Sequence, residues 1–170
     1  MTQELFYAVF DTAAGWVGLL GSTRGLLRIT LPQSSEREAL RLPGDKLNPA
    51  TLSPDRFKDI IERLRAYFDG HSVDFPDRLD FSGATPFQHS VWQAARLIPY
   101  GETRSYAWVA GQIGKPDAAR AVGQALGRNP LPIIIPCHRV LAADGGLGGF
   151  SGGIKVKRFL LSLEGASITG

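Results

Sequence analysis

The sequence predicts an α+β protein in two parts: a small N-terminal antiparallel sheet domain with a helix over residues 1–83, and a C-terminal helical domain with a helix-turn-helix over residues 84–170. Three observations carry this reading. The first part opens with short runs rich in aromatic and β-branched residues, separated by turn signals. Beyond Ser53, apolar residues recur at the three-to-four spacing of helices. Between the two parts, residues 71–85 carry Pro76 and Gly83 with little helical periodicity, which marks the boundary.

Leu5–Phe10, Trp16–Leu20 and Gly25–Leu31 read as three strands joined by tight turns. Residues 32–54 are polar and rich in proline. They read as a long loop with one short helix near Glu36–Leu40. Ser53-Pro54 looks like a cap followed by a first-turn proline, and Phe57, Ile60, Ile61, Leu64 and Phe68 then line a helix that Gly70 ends. Thr85-Pro86 starts the next helix, which stops before Pro99. Ser105–Ile113 and Ala118–Gly127 follow, broken by Gly114-Lys115-Pro116, with Asp117 as the expected cap of the second. Two short helices around a glycine-containing turn have the outline of a helix-turn-helix. In the second, Ala118, Ala119, Ala121, Gly123 and Ala125 surround Arg120. So smooth a face serves either close approach to a ligand backbone or tight packing on another helix. A last helix spans Lys155–Leu163.

Composition narrows the function. The chain has 170 residues, 44% apolar and 21% charged, an ordinary globular balance. No apolar run is long enough to span a bilayer, and Met1–Leu5 has no signal-peptide pattern. One cysteine excludes an internal disulfide and a multi-cysteine zinc site. A reducing, cytoplasmic setting is the expectation, with no membrane partner, no metal and no cofactor. Net charge is +3 but unevenly spread. Residues 1–83 hold ten Lys/Arg and twelve Asp/Glu, hence −2; residues 84–170 hold nine and four, hence +5. A basic second half suits a polyanion. A chance asymmetry of a solvated surface gives the same count.

The segment from Asn129 to Val140 carries the chemistry. Ile133, Ile134 and Ile135 form a short apolar run, read as an extended strand held by Pro130, Pro132 and Pro136. Cys137 and His138 follow at once. A thiol attacks as its thiolate and needs a base, which His138 supplies directly or through a water. A carboxylate that orients the imidazole completes such a relay, and Glu164 at the end of the last helix is the candidate. The competing reading makes Cys137 a small buried hydrophobe, His138 a satisfied histidine and Glu164 a solvated helix end.

Taken together, these stretches resemble the O6-alkylguanine-DNA alkyltransferases, also called methylated-DNA–protein-cysteine methyltransferases. Pro136-Cys137-His138-Arg139-Val140 matches the family's active-site motif. Pro99-Tyr100-Gly101-Glu102-Thr103-Arg104-Ser105-Tyr106 is similar to its lead-in to the helix-turn-helix. Ala119-Arg120-Ala121-Val122-Gly123 is similar to its recognition helix. Asn129-Pro130 and Ser151-Gly152-Gly153 also match, so the resemblance runs from about Thr85 to Gly165.

The resemblance implies a winged-helix-like DNA-binding part and repair by direct reversal. Cys137 would accept the alkyl group from guanine O6, and by extension thymine O4, once per molecule. His138 would act as its base through a water, held by Glu164, with Asn129 fixing the turn. Tyr106 would donate to the leaving guanine and help rotate the phosphate, and Arg120 would fill the stack when the base flips out. Ala119, Ala121 and Gly123 would let the helix press into the minor groove, with Ser105, Lys115 and Arg128 as further DNA contacts. Val140, Phe150 and Ser151 would line the base pocket; many relatives carry tyrosine at the position of Phe150. The partner implied is double-stranded DNA containing alkylated guanine, met by a protein that is monomeric without DNA. Two rivals fit the bare residues: a thiol hydrolase using Cys137, His138 and Glu164, and a module that only binds damaged DNA. Sustained turnover of acyl substrates distinguishes the first, and binding without loss of the alkyl group the second.

Overall fold

The computed structural model describes residues 4–41, 50–142, 146 and 153–166. Its chain divides into two compact units, Met1–Gly83 and Ala84–Gly170.

In the first unit, β1 (Leu5–Thr12), β2 (Gly15–Ser22) and β3 (Gly25–Ile29) form the antiparallel meander expected from the sequence. β1 alternates, burying Phe6, Ala8 and Phe10. β2 is buried continuously from Val17 to Ser22, so both of its faces are covered. Gly25 sits at φ +145, and a Cβ there would meet the Arg78 carbonyl oxygen at 2.4 Å. Only glycine allows Leu26 to exchange backbone hydrogen bonds with Arg78 and Asp80 at 2.9 and 2.8 Å.

The short helix α1 (Glu36–Arg41) lies where expected and packs Ala39 over Gly18. One strand was not foreseen. β4 (Thr51–Leu52) pairs parallel with β1, so the sheet order is β3-β2-β1-β4 and the sheet is mixed. Two residues carry no periodicity, and pairing alone defines this strand: the Ser53 N–H donates to the Tyr7 carbonyl at 2.9 Å. Ser53 makes no side-chain cap; a 3-10 turn over Pro54–Phe57 leads into α2 (Lys58–Phe68). Ile60, Leu64, Tyr67 and Phe68 are the buried face of α2.

In the second unit, α3 (Pro86–Ala95) begins with a reciprocal capping box between Thr85 and Gln88. It buries Val91, Trp92, Ala94 and Ala95. The two-residue strand β5 (Arg104–Ser105) precedes α4 (Tyr106–Gln112), and the Ser105 hydroxyl caps α4 by accepting from the Trp108 N–H at 3.0 Å. Gly114 ends the turn at φ +72. α5 (Ala119–Gly127) starts one residue later than expected: Ala118 is its cap residue and no side chain caps it, so Asp117 does not play that part. α5 packs against α3 and α4, and Trp92 Nε1 donates to the Ala125 carbonyl at 2.9 Å.

After α5 the chain makes turns and then a single 3-10 turn, Cys137–Arg139. β6 (Val140–Leu141) follows and pairs parallel with β5, which ties the start of α4 to the residues after Cys137. α6 (Ile154–Leu163) closes the unit. No helix among the described residues is long and apolar enough to cross a membrane.

Candidate active site

The segment expected to be a strand is a set of tight turns. Proline has no N–H to donate, so Pro130, Pro132 and Pro136 together disfavour a ladder. Ile133 instead adopts φ +77. That left-handed conformation is strained for a β-branched residue, by about 1–3 kcal/mol, and persists only where its surroundings hold it. Here the whole stretch from Leu131 to Leu141 is buried, and the Ile135 N–H donates to the Leu131 carbonyl at 2.9 Å.

Pro136, at φ −80 and ψ 63, has the conformation of an inverse γ-turn, and the Cys137 N–H accordingly donates to the Ile135 carbonyl at 2.7 Å. This turn aims Cys137 and starts the 3-10 turn that carries His138 and Arg139.

Asn129 fastens the turns to the thiol. Its Oδ1 accepts from the Leu131 N–H at 2.8 Å, and its Nδ2 donates to the Ile135 carbonyl at 2.8 Å and to Cys137 Sγ at 3.2 Å. Cys137 is only 5% exposed. Burial pushes its thiol up; the Asn129 hydrogen bond, the Lys157 charge and the backbone N–H groups of Cys137 and His138 pull the other way. The thiol therefore rests protonated and needs a base to ionise.

His138, the next residue in the chain, is held by a carboxylate. Its Nε2 lies 2.6 Å from Glu164 Oε2. Glu164 accepts two bonds from Arg139, Nε to Oε1 at 2.8 Å and Nη2 to Oε2 at 3.0 Å, and one from the Gly101 N–H at 3.2 Å. Burial alone raises a carboxylate, but the bonds from His138 and Arg139 outweigh it and bring Glu164 down to about 2. The carboxylate is thus ionised and only accepts, so His138 Nε2 carries the proton of their shared bond. Burial holds His138 below its usual value, with Glu164 offsetting part of the effect, so the ring is neutral. In a neutral ring protonated at Nε2, Nδ1 has the free lone pair. It is buried and has no hydrogen-bond partner among the described residues.

Three participants were missed in the sequence. Arg139 clamps Glu164 and donates Nη1 to the Ile98 carbonyl at 2.7 Å. Gly101 comes from a turn read only as a connection; its φ of +78 is what brings its N–H to Glu164. Lys157 is fully buried, donates to the Val140 carbonyl at 2.7 Å, and is lowered to about 8 by burial, with Cys137 opposing. Lys157 was detectable: with Leu160, Leu161 and Glu164 it forms the inward stripe of α6 at positions i, i+3, i+4 and i+7.

The residues expected to meet DNA divide by exposure. Arg120 and Ala121 are exposed on the first turn of α5, as are Lys115 in the turn before the helix and Arg128 at its C-terminal cap, whereas Ala119 and Gly123 are half-buried. Gly123 faces Tyr106; a Cβ there would touch that ring at 3.7 Å. Ala125 is buried in the packing of α5. The smooth face thus packs on one side and leaves an exposed surface around Arg120 on the other. The Ser105 hydroxyl is engaged as the cap of α4. Val140 is buried, and its N–H donates to the Cys137 carbonyl. Phe150 and Ser151 lie outside the described residues.

The family model for the 6-O-methylguanine DNA methyltransferase DNA-binding domain matches residues 86–166. A methylated-DNA–protein-cysteine methyltransferase of Methanosarcina acetivorans is 40% identical over 162 residues, covering 95% of this chain and 99% of its own. The one from Mycobacterium tuberculosis is 54% identical over 114 residues, 67% of this chain and 68% of its own. Among solved structures, Mycobacterium tuberculosis OGT in complex with DNA matches with a TM-score of 0.79 at 43% identity, covering 94% of this chain and 92% of that one. An O6-methylguanine-DNA methyltransferase from Pyrococcus kodakaraensis matches with a TM-score of 0.74 at 28% identity, covering 95% and 100%. The likeness extends through both units and includes the part that holds the Cys137, His138 and Glu164 network: the chain belongs to the methylated-DNA–protein-cysteine methyltransferase family.

Proposed function

We propose that this protein repairs double-stranded DNA by moving the alkyl group of O6-alkylguanine onto Cys137 Sγ, once per molecule, with residues 84–170 supplying both the DNA contacts and the chemistry. The observation that carries the reading is the buried run from Asn129 through Cys137 and His138 to Glu164, in which Nδ1 of a neutral His138 is left to take a proton. In this reading a single water carries the proton from Sγ to Nδ1. His138 takes the thiol proton, the S–C bond forms as the C–O6 bond breaks, and the Tyr106 hydroxyl gives a proton to the departing guanine. The proton on His138 then returns to Tyr106 through solvent, leaving a thioether and intact guanine. A thioether offers no route back to the thiolate, so the protein is consumed. O4-alkylthymine is the second substrate expected of the same geometry.

After incubation with an O6-methylguanine duplex, intact mass and peptide mapping should find one added methyl group, on Cys137. Sustained turnover, or a methyl group on another residue, would overturn the reading.

The substrate edge of guanine is inside the duplex, so the base must be extruded at a cost of a few kcal/mol. Arg120 is long, charged and exposed at the start of α5, which supports it as the side chain that enters the vacated stack. Arg120→Ala should slow repair of duplex DNA by roughly tenfold or more, the worth of about 1.4 kcal/mol of flipping, while reaction with a free O6-alkylguanine base stays within about twofold of wild type. Equal losses on both substrates would remove Arg120 from base flipping.

A further inference from the structure

Arg139 has no direct part in the proposed transfer, yet it occupies a costly position. Its side chain is buried at 9% exposure, and its guanidinium bonds two acceptors, Glu164 twice and the Ile98 carbonyl once. Its fork also lies 5.7 Å from the Tyr100 ring centroid. We propose that Arg139 is a positioning residue that keeps His138 a neutral base, by holding the Glu164 carboxylate in place and cancelling its charge.

The relay contains a conflict. A carboxylate is the best partner for orienting an imidazole, but an uncompensated buried carboxylate also favours the imidazolium. An imidazolium carries a proton on both nitrogens and cannot accept one from a thiol. The relay therefore needs the carboxylate's geometry without its full charge. Arg139 meets both needs: its two parallel bonds fix the carboxylate plane, and its charge offsets that of Glu164.

The other charged and titratable groups around His138 act in the same direction or are neutral. Lys157, on α6, also disfavours the imidazolium. Cys137, on the same 3-10 turn, rests as the thiol. Tyr100, from the turn after α3, is held in its neutral phenol form by burial and by Glu164. Among the described residues, Glu164 is thus the one group that pulls His138 toward its charged form by attraction, and Arg139 is the cation bonded directly to it.

This proposal rests on the alkyl-transfer reading for its rate measurements, and histidine NMR tests it independently of that reading. In the wild-type protein, imidazole 15N shifts should show His138 neutral and protonated at Nε2 at neutral pH. An imidazolium there would overturn the proposal even if no alkyl transfer occurs. Replacing Arg139 by Gln or Met should move the acid limb of the transfer rate, and the His138 titration with it, upward by about one pH unit or more, the effect of an opposite charge at contact distance. The rate below that limb then falls by roughly tenfold for each pH unit that the limb moves, while the rate at alkaline pH recovers toward wild type. Arg139→Lys keeps the charge and should keep the acid limb in place while lowering the plateau rate. A loss that is uniform across pH in the Gln and Met variants, with the His138 titration unmoved, would reduce Arg139 to a packing role. If those variants do not fold, the wild-type imidazole state and the Arg139→Lys profile decide: a limb that moves although the charge is retained counts against charge cancellation.

Discussion

Cys137→Ser should abolish alkyl transfer and leave DNA binding intact. The substitution changes little in shape: Asn129 Nδ2 still has an acceptor at the end of the side chain, and the γ-turn at Pro136 is untouched. What it removes is the thiol whose proton His138 takes in the proposed reaction. The Cys137 thiol is already raised by burial, so the relay has little margin, and a hydroxyl starts several pH units higher. Loss of an activated nucleophile of this kind amounts to about 10³-fold or more, beyond the range of a single-turnover assay. The proposed DNA contacts are other exposed groups, Arg120 on α5, Lys115 before it and Arg128 at its C-terminal cap, so binding should keep its salt dependence. The check is mass spectrometry for methyl transfer beside a binding titration on the same O6-methylguanine duplex. Methyl transfer to the Cys137→Ser variant at a rate near wild type would exclude Cys137 as the acceptor. A variant that neither transfers nor binds, with an unchanged melting temperature, would place the thiol in DNA recognition.

The parts of this molecule that were legible in the sequence are those fixed by neighbours in the chain. The β1–β2–β3 meander follows from alternation and glycine turns, and α3 from the Thr85-Pro86 start with Gln88 completing the box. Cys137 and His138 drew attention because they are adjacent, and Glu164 because it ends an amphipathic helix. What escaped depends on contacts distant in sequence. Three isoleucines in a row suggest a strand, but their backbone bonds go to Leu131 and to the Asn129 side chain, and Ile133 takes a conformation no propensity favours. β4 exists only because β1 has an open edge for it. In the sequence Arg139 was only one residue of the Pro136–Val140 motif, and its burial makes sense only once Glu164, 25 residues away, is brought beside it. The Gly101 N–H reaches the same carboxylate across 63 residues. The proposed Cys137, His138 and Glu164 set was therefore readable, whereas the Arg139 and Gly101 donors to Glu164 were not, because the fold brings them together.

Glu164→Gln should produce a large loss of stability, and with it a change in how the protein responds to acid. Two carboxylate oxygens receive four donors: His138 Nε2, two from Arg139 and the Gly101 N–H. An amide replaces one of those oxygens with a donor, so at least one N–H now faces an N–H. Arg139 is left buried without its counter-charge, a defect that typically costs about 3–5 kcal/mol. The sign of the pH effect follows from the same group. Glu164 is lowered from 4.5 in an unfolded chain to about 2 in the folded one, so its ionised form stabilises the fold fully above pH 4.5, and that contribution is lost as pH falls toward 2. The size is on the order of 3 kcal/mol, from about 1.4 kcal/mol per pH unit. His138 adds an earlier loss with the same sign: its folded value is depressed, so the unfolded chain binds the proton first as pH drops below its ordinary 6.5. Wild-type stability should therefore decline in two stretches on acidification. In Glu164→Gln the second stretch, between pH 4.5 and 2, should flatten while the first persists. Denaturant unfolding at a series of pH values measures both. An acid slope below pH 4.5 that matches wild type would mean that another carboxylate carries it, and that the Glu164 cluster does not hold this part of the fold together.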